Sequence, residues 1–387
     1  MKLTYKNFCL LFFASTILCL HATAQIDNLA MEDRVRVSAE DTNKLMLHFK
    51  FMNFLNNTEY FHRIATGYTL FGSELSPRLS YMPNQYMRID GGIYIRKDFG
   101  NPLLTMVAPT LSMKFQKNGY SFIFGNLEAS LNHRLIEPLF NYERVIFKPL
   151  ENGIQFGIDK NKLWLDTWLD WEQQEYKNSS FKEHIGAGLN AKITLIQMND
   201  IFKVQLPIQA FIFHHGGQID KDTSNVLSLG NAASGLIVDL DLTKNNGFIT
   251  GIRNDNYILG YKDISFTKSQ PYKLGDGLYL NIMLKTKYHI NLQASYWQGH
   301  DFISPHGGFL YQSVSSEFNI KTPPSTEDDR RLLFVRLMYQ HEMLPDLFID
   351  VRMEPYYDLN NHFMEFGYRV FASYRRDIDL GKVKKYQ

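Results

Sequence analysis

The chain has 387 residues, of which 44% are hydrophobic and 21% are charged. This composition is too polar for a bundle of membrane helices and too apolar for a disordered chain. The 41 lysines and arginines nearly balance the 40 aspartates and glutamates, so the chain lacks the basic excess that attracts nucleic acid. Aromatic residues reach 14%, which is high for a soluble enzyme.

The first 24 residues are typical of a secretory signal peptide. Lys2 and Lys6 give a positive start, an apolar run follows, and residues 22–24 read Ala-Thr-Ala, a small-residue cleavage site. We therefore expect the mature chain to begin at Gln25. A lipoprotein signal ending at Cys19 is the alternative. Both cysteines of the chain lie before residue 25, so the mature protein would have no disulfide and no thiolate site.

Apolar and polar residues alternate in many segments of the mature chain, and no apolar run approaches the ~20 residues of a membrane helix. Successive side chains of a strand point to opposite faces, so each such segment has one apolar and one charged face. Segment 307–318 could be a further strand, but that would make the number of strands odd. Because single-chain membrane barrels have even strand numbers, the segment is assigned to an external loop. The pattern predicts sixteen strands, at 46–57, 66–81, 85–98, 103–116, 119–132, 152–160, 162–174, 182–197, 201–215, 232–242, 247–258, 276–287, 288–299, 330–342, 346–358 and 362–376.

A soluble β-sandwich would alternate as well, but two features favour a membrane barrel. Most predicted segments are far longer than the ~5–6 residues of an average globular strand, and reach the ~9–11 residues that a tilted strand needs to cross the hydrocarbon core. Short turns also alternate with long polar connections, as in outer-membrane barrels with short periplasmic turns and long external loops. The sequence therefore predicts an all-β, transmembrane, antiparallel up-and-down barrel of about sixteen strands in the bacterial outer membrane.

On this pattern the chain resembles the outer-membrane β-barrel porins of Gram-negative bacteria. Its last predicted strand carries Phe366, Tyr368 and Tyr374 on one face, similar to the aromatic closing strand of that family. The resemblance implies contact with outer-membrane lipid, a small hydrophilic solute, and either a homo-oligomer or an accessory outer-membrane partner. The predicted parts are a signal peptide at 1–24, a short N-terminal periplasmic segment at 25–45, the barrel at 46–376 and a periplasmic tail at 377–387.

The polar strand faces would line the lumen. Trp164, Asp166, Trp168 and Asp170 place two indoles and two carboxylates on one face, about 6–7 Å apart at every second residue. Aromatic faces with carboxylates suit sugar rings, but membership of an interface girdle, or simple filling of space, is the more ordinary explanation of the tryptophans. The other candidates for pore lining are Arg88, Asp90, Arg96 and Glu128. Charges of both signs imply either water in the lumen or a dense ion-pair network, and sixteen strands leave room for water.

The connection 133–151 is too apolar for a solvated external loop. It either folds into the lumen as a constriction, with Arg134, Glu137 and Arg144 near the narrowest part, or packs on the barrel rim or a partner. The sequence leaves these two placements open.

The leading functional prediction is an outer-membrane channel for passive diffusion of small hydrophilic solutes, with oligosaccharides as one candidate. The first alternative is a non-conducting accessory barrel of an assembly, secretion or uptake complex, and the second is a hydrolase acting on lipid. His214-His215 and His300-Asp301 fall at external strand ends and could serve as bases. No serine in a recognisable local context answers them, so we expect no catalytic residues, no enzyme activity, no cofactor and no metal site.

Overall fold

A computed structural model describes residues 28, 31–199, 201–245, 247–316 and 325–383. The predicted signal peptide lies outside these residues. Within them, sixteen antiparallel strands form one closed barrel, in which each strand pairs with its neighbours in the chain and β1 pairs with β16. The prediction of an all-β, sixteen-stranded up-and-down barrel is confirmed. No helix among the described residues is long and apolar enough to cross a membrane.

Most strands lie close to their predicted positions, but β5, predicted to run to residue 132, ends at Asn126. They are β1 (Lys44–Glu59), β2 (Thr69–Asn84), β3 (Met87–Asp98), β4 (Met106–Lys117), β5 (Tyr120–Asn126), β6 (Asn152–Lys160), β7 (Leu163–Gln173), β8 (Glu183–Met198), β9 (Phe202–Gly216), β10 (Leu227–Asp241), β11 (Ile249–Asp263), β12 (Leu274–Thr286), β13 (Ile290–His300), β14 (Asp329–Leu344), β15 (Leu347–Asp358) and β16 (Phe363–Lys382). The helical elements are short: 3-10 turns and one turn of α-helix, α1 (Arg144–Phe147).

Alternation along the strands separates two environments. Outward side chains are apolar and exposed, such as Leu111 at 67% and Met364 at 70%. Inward side chains are often charged and buried, and Arg88, Arg336 and Arg352 are at most 2% exposed. An apolar outer band on a closed sheet is the surface that lipid covers in outer-membrane barrels. The protein is therefore located in the outer membrane, with its short turns at the periplasmic end.

The short turns follow hairpin chemistry. Asn118 and Gly119 connect β4 to β5, and both have positive φ, at 52° and 78°. Two-residue hairpins of type I′ need positive φ at both central positions, which is why Asn-Gly is favoured there. A Cβ on Gly119 would also lie 2.5 Å from the backbone oxygen of Asp159. The turn therefore fixes the register of two strands at the periplasmic end.

β16 is longer than predicted. The sequence indicated an end at residue 376, but the strand runs to Lys382, which is paired with Lys44 of β1. The polar end of β16 also has partners, because the His48 ring lies 2.9 Å from the carboxylate of Asp377. Most of the predicted periplasmic tail is therefore strand.

Three segments fill the lumen of the barrel. Residues 31–38 enter from the periplasmic end, whereas 127–151 and 301–316 fold inward from the external side. The placement of 31–38 differs from the periplasmic position predicted for 25–45, because its charges find partners inside: the Asp33 carboxylate lies 2.7 Å from the Arg78 guanidinium. A sixteen-stranded barrel has room for an aqueous channel. These segments, not the strand number, decide what the interior contains.

Candidate functional site

Residues 127–151 connect β5 to β6 in the chain. They form a plug segment that crosses the lumen of the barrel. The segment contains a 3-10 turn at Ser130–His133 and the helical turn α1. Burying its apolar side chains favours a place inside the protein over a solvated loop. Of the two placements that the sequence left open, the segment takes the one inside the lumen. The buried apolar side chains are Leu131, Leu135, Ile136, Leu139, Phe140, Tyr142, Val145 and Ile146.

Polar groups attach the plug segment to opposite walls of the barrel. The Glu137 carboxylate lies 2.6 Å from Arg336 on β14. The Glu143 carboxylate accepts a hydrogen bond from Asn56 on β1 at 2.9 Å. Across the barrel, Asn190 on β8 donates to a backbone oxygen of the segment at 2.9 Å. Because β1 and β8 lie on opposite sides of the closed sheet, the segment spans the width of the lumen.

His133 is the most enclosed charged group of the plug segment. Its Nδ1 lies 2.8 Å from Asp166 and its Nε2 lies 2.7 Å from Glu151, while its ring stacks on Trp168 at 3.5 Å between centroids. Burial alone would lower the pKa of His133, but the charges of Glu151 and Asp166 outweigh it, and the pKa is raised. Both ring nitrogens donate to carboxylates, so this histidine holds the plug segment in place and is not free to accept a proton.

The raised pKa of His133 predicts a loss of stability at alkaline pH. The pKa of an unfolded histidine is about 6.5, so the stabilisation is complete below that pH and is lost as pH rises through the higher pKa of the folded state. His133→Gln is expected to abolish this dependence and to lower the free energy of unfolding by about 3–5 kcal/mol, because two buried carboxylates lose their cation. Urea unfolding of the refolded barrel at pH 6 and pH 10 measures both effects. His215→Gln, on the external rim, is the control, and an unchanged pH dependence in His133→Gln would contradict the assignment.

The predicted ladder of tryptophans and carboxylates faces the lumen, but the plug segment covers most of it. Trp168 is 4% exposed beneath the His133 ring, and Asp166 is engaged by the same histidine. Asp170 accepts a hydrogen bond from the backbone of Asn152 at 2.7 Å. Trp168 and Asp166 therefore pack against the segment, and none of the three side chains faces open solvent.

Trp164 lies nearer the periplasmic end and borders a cavity of about 240 Å³. Three cations approach its ring, with Arg34, Arg134 and Lys192 between 5.1 and 5.6 Å from the centroid. Cation–π contacts of this kind stabilise buried cations. The indole is thus surrounded by charge, which leaves less of its face for a sugar ring.

The other predicted pore-lining residues also point inward, and each is in an ion pair. The pairs are Arg88 with Asp90 at 2.9 Å, Arg96 with Asp98 at 2.7 Å, and Glu128 with Lys114 at 2.6 Å. In the plug segment, Arg134 lies 2.5 Å from Glu32 and Arg144 lies 3.7 Å from Glu172. The sequence favoured water in the lumen over a dense ion-pair network. For these residues that preference is wrong, because each has a counter-charge within reach, on the same strand for Arg88 and Arg96 and between the wall and an inward segment, or between two inward segments, for the others.

His62, Glu327 and Asp358 form a group whose ligand atoms lie within 4.8 Å of one another. Such a group could hold a metal ion, but cations of the protein already occupy it. Arg330 lies 3.3 Å from Asp358 and also contacts Glu327, and Arg63 lies 3.2 Å from Glu327. The two carboxylates are therefore balanced by two guanidinium groups, and the group joins the external loops as an ion-pair cluster.

The external rim brings together a pair that the sequence did not reveal. His214 and Ser228 lie opposite each other on β9 and β10, and the Oγ of Ser228 is 2.8 Å from Nδ1 of His214. The sequence drew attention to the histidine but not to a serine partner, because the two are 14 residues apart and meet only through strand register. His215, the chain neighbour of His214, lies on the opposite face of β9, with its ring centroid 4.4 Å from that of His184. His300 lies 3.9 Å from the nearest carboxylates.

Solved outer-membrane proteins share the fold. The chain is similar to the outer membrane protein OprD from Pseudomonas aeruginosa, with a TM-score of 0.50 and 10% identity over 87% of this chain and 95% of that one. It is also similar to OccAB3 of Acinetobacter baumannii, with a TM-score of 0.47 and 11% identity over 86% of this chain and 99% of that one. At such identity the likeness concerns the fold alone. Among curated proteins, none matches the sequence.

A family model described as lipid A 3'-O-deacylase-type matches residues 37–383. The match includes all sixteen strands of the barrel. Because that family is one of enzymes, the expectation of no enzyme activity is wrong. The porin resemblance pointed to the correct fold and membrane but not to this chemistry, since one fold hosts many functions. The chain belongs to the lipid A 3'-O-deacylase-type family.

Proposed function

We propose that the protein is a hydrolase that removes an ester-linked acyl chain from a lipid of the outer leaflet, with lipid A as the first candidate. The observation that favours hydrolysis over passive diffusion is the filled lumen. Plug-segment residues contact opposite walls, and Trp168, a predicted solute contact, is stacked beneath His133. A solute path would require these buried contacts to break. The surfaces left for chemistry are the external rim and the outward face.

The position of the barrel suits a lipid substrate. Its outward band carries exposed apolar side chains that meet acyl chains, and its external rim lies at the level where headgroups begin. An ester that joins an acyl chain to its headgroup lies at that boundary. A lumen filled with packed side chains and ion pairs makes the wall a rigid support, and rigid elements hold catalytic groups more accurately than free loops do.

Mass spectrometry of lipid A tests the proposal. Purified protein in mixed detergent micelles with lipid A is expected to yield a product lighter by one acyl chain, together with the free fatty acid. An unrelated outer-membrane barrel, purified in parallel, controls for contaminating esterases. Unchanged lipid A, in the presence and in the absence of divalent cations, would contradict hydrolysis and favour the accessory-barrel alternative.

A further inference from the structure

We infer that the barrel wall has a lateral opening between β4 and β7, and that an acyl chain of an outer-leaflet lipid enters the protein there. The opening lies on the external side of β5 and β6, which have 7 and 9 residues, whereas the other strands have 11–20. The inference deepens the proposed function and rests on it, because it names the route by which the lipid substrate reaches the barrel.

Strands β5 and β6 stop before their neighbours do. β4 pairs with β5 only from Ser112 onward, and β7 pairs with β6 only up to Asp170. Residues 106–111 of β4 and 171–173 of β7 therefore continue toward the external side, and no described strand lies between them. The plug segment, which could have completed the wall here, turns into the lumen instead.

The plug segment crosses the external end of the opening on its way back to the wall. The backbone oxygen of Ile146 accepts a hydrogen bond from Arg96 on β3 at 2.6 Å. Two residues later, the ammonium of Lys148 lies 3.6 Å from the carboxylate of Glu172 on β7. Phe147, between these two contacts, is 37% exposed, whereas Ile146 is 0% exposed. The opening is therefore a window that the segment bounds on the external side, with a phenyl ring exposed at its edge.

The free edge of β4 resists pairing with another strand. The side chain of Asn126 accepts a hydrogen bond from the backbone N–H of Leu111 at 2.5 Å and donates one to Asn152 at 2.6 Å. Two residues before Leu111, Pro109 presents its nitrogen to the same edge, because hydrogen-bonding directions alternate along a strand, and it has no N–H to donate. Proline at an edge blocks the addition of a further strand. The edge therefore disfavours a protein partner and favours lipid as the occupant.

The opening lies at the level of the outer-leaflet acyl chains. β5 begins at Tyr120, an exposed ring with the ammonium of Lys160 4.0 Å from its centroid, as is typical of the aromatic girdle at a membrane interface. The 7 residues of β5, at about 3.3 Å each and tilted by about 40°, rise only about 18 Å from there. The apolar band of an outer-membrane barrel is about 25 Å tall. Lipid chains above the end of β5 therefore face the opening instead of a wall.

Apolar side chains surround the opening without filling it. Leu127, Pro149 and Leu150, at the two ends of the plug segment, are only partly buried. Phe140, in the middle of the same segment, is 4% exposed. Apolar groups left accessible at the acyl level gain contacts when a lipid chain lies against them. The ends of the segment therefore form a seat for such a chain, while its middle is already packed.

A cavity of about 80 Å³ continues inward from the opening. Its lining includes Leu111 at the opening and Arg78, Thr110 and Ser130 inside. The Nε of Arg78 and the hydroxyls of Thr110 and Ser130 are buried and have no hydrogen-bond partner among the described residues. Buried polar atoms without partners are costly, so the cavity favours an occupant that carries polar groups. The ester or hydroxyl of a lipid whose chain lies in the opening would supply them.

Photo-crosslinking in outer membranes tests the opening without relying on enzyme activity. The photoreactive residue p-benzoylphenylalanine replaces one phenylalanine at a time: Phe147 at the opening, Phe140 inside the plug segment, or Phe124 on the outward face of β5. Adducts with lipopolysaccharide, identified by mass spectrometry, are expected at Phe147 and Phe124 but not at Phe140. Adducts at Phe124 alone would overturn the opening, and so would crosslinks from Phe147 to a second copy of the chain.

A variant that fills the opening provides the second measurement. Leu150→Trp is expected to lower the rate of lipid A deacylation at least ~10-fold, because a lipid that is not seated is not oriented for reaction. Leu337→Trp, on the outward face of β14, adds the same bulk to a complete part of the wall and should keep the rate. Heat-modifiable migration on gels shows that each barrel is folded. Equal rates in both variants would overturn the route.

The outcomes separate this inference from the proposed function. Deacylation by the wild type without lipid adducts at Phe147 overturns the opening and leaves the hydrolase proposal standing. Lipid adducts at Phe147 without any deacylation support the opening and overturn hydrolysis of lipid A. Absence of both deacylation and adducts at Phe147 overturns both proposals.

Discussion

Wild-type protein in a planar bilayer is expected to conduct far less than an open sixteen-stranded porin in the same membrane. The reason is the packing of 127–151 and 301–316 inside the barrel. Leu139 and Phe302, one from each segment, are 0% exposed in the described structure. Single-channel recordings at low voltage measure the effect, with a general porin as the reference.

A shortened plug segment provides the matched test. Replacing residues 134–147 by a flexible Gly-Ser linker removes the Arg336 partner Glu137 and the apolar centre of the segment. We expect conductance to rise in this variant while the barrel remains folded. Wild-type openings as large as those of the reference porin would show that the segment does not reside in the lumen, and would restore passive diffusion as the leading function.

Replacing Glu354 by glutamine is expected to lower the free energy of unfolding by about 3–5 kcal/mol. This carboxylate is 4% exposed, contacts Arg369 and lies 3.3 Å from Arg336. The guanidinium of Arg336 also holds Glu137 of the plug segment at 2.6 Å. Removing the charge therefore leaves two buried cations under-compensated at the point where the wall meets the segment. Urea unfolding of the refolded protein measures the loss.

Glu342→Gln is the control for this variant. Glu342 lies on the same sheet, near the periplasmic end of β14, and is exposed. An exposed substitution of this kind is expected to change the free energy of unfolding by no more than about 0.5 kcal/mol. Equal, small effects in both variants would show that the network around Glu354 is solvated and that the lumen is wetter than its contacts indicate.

The strands could be predicted because lipid and lumen impose opposite demands on alternate residues. The predicted segment 85–98 corresponds to β3, and the same rule located most of the other strands. It failed at the start of β10, predicted at 232 and found at Leu227, because the small residues there give no apolar–polar contrast. That error also concealed the position of Ser228 beside His214.

The contents of the lumen could not be predicted in the same way. Glu143 meets Asn56, 87 residues away, and Ile136 N–H donates to Gln209, 73 residues away. Such partners depend on the closure of the whole sheet and leave no local pattern. The apolar character of 133–151 showed that the connection must be covered, but not by what. The enzyme class was missed because resemblance was judged at the level of the fold.

The seam between β1 and β16 has a consequence for folding. It joins Asn53 to Ala372, so the cylinder cannot close until nearly the entire chain has been made. The plug segment uses Asn56 on one side of this seam and, through Glu143, approaches Arg369 on the other at 3.6 Å. Closure of the barrel and insertion of the plug segment are therefore coupled. Because the contacts join residues so distant in sequence, we expect folding of the barrel to be slow. A chain truncated before β16 would lack one side of the seam and would leave the apolar contents of the barrel exposed to aggregation.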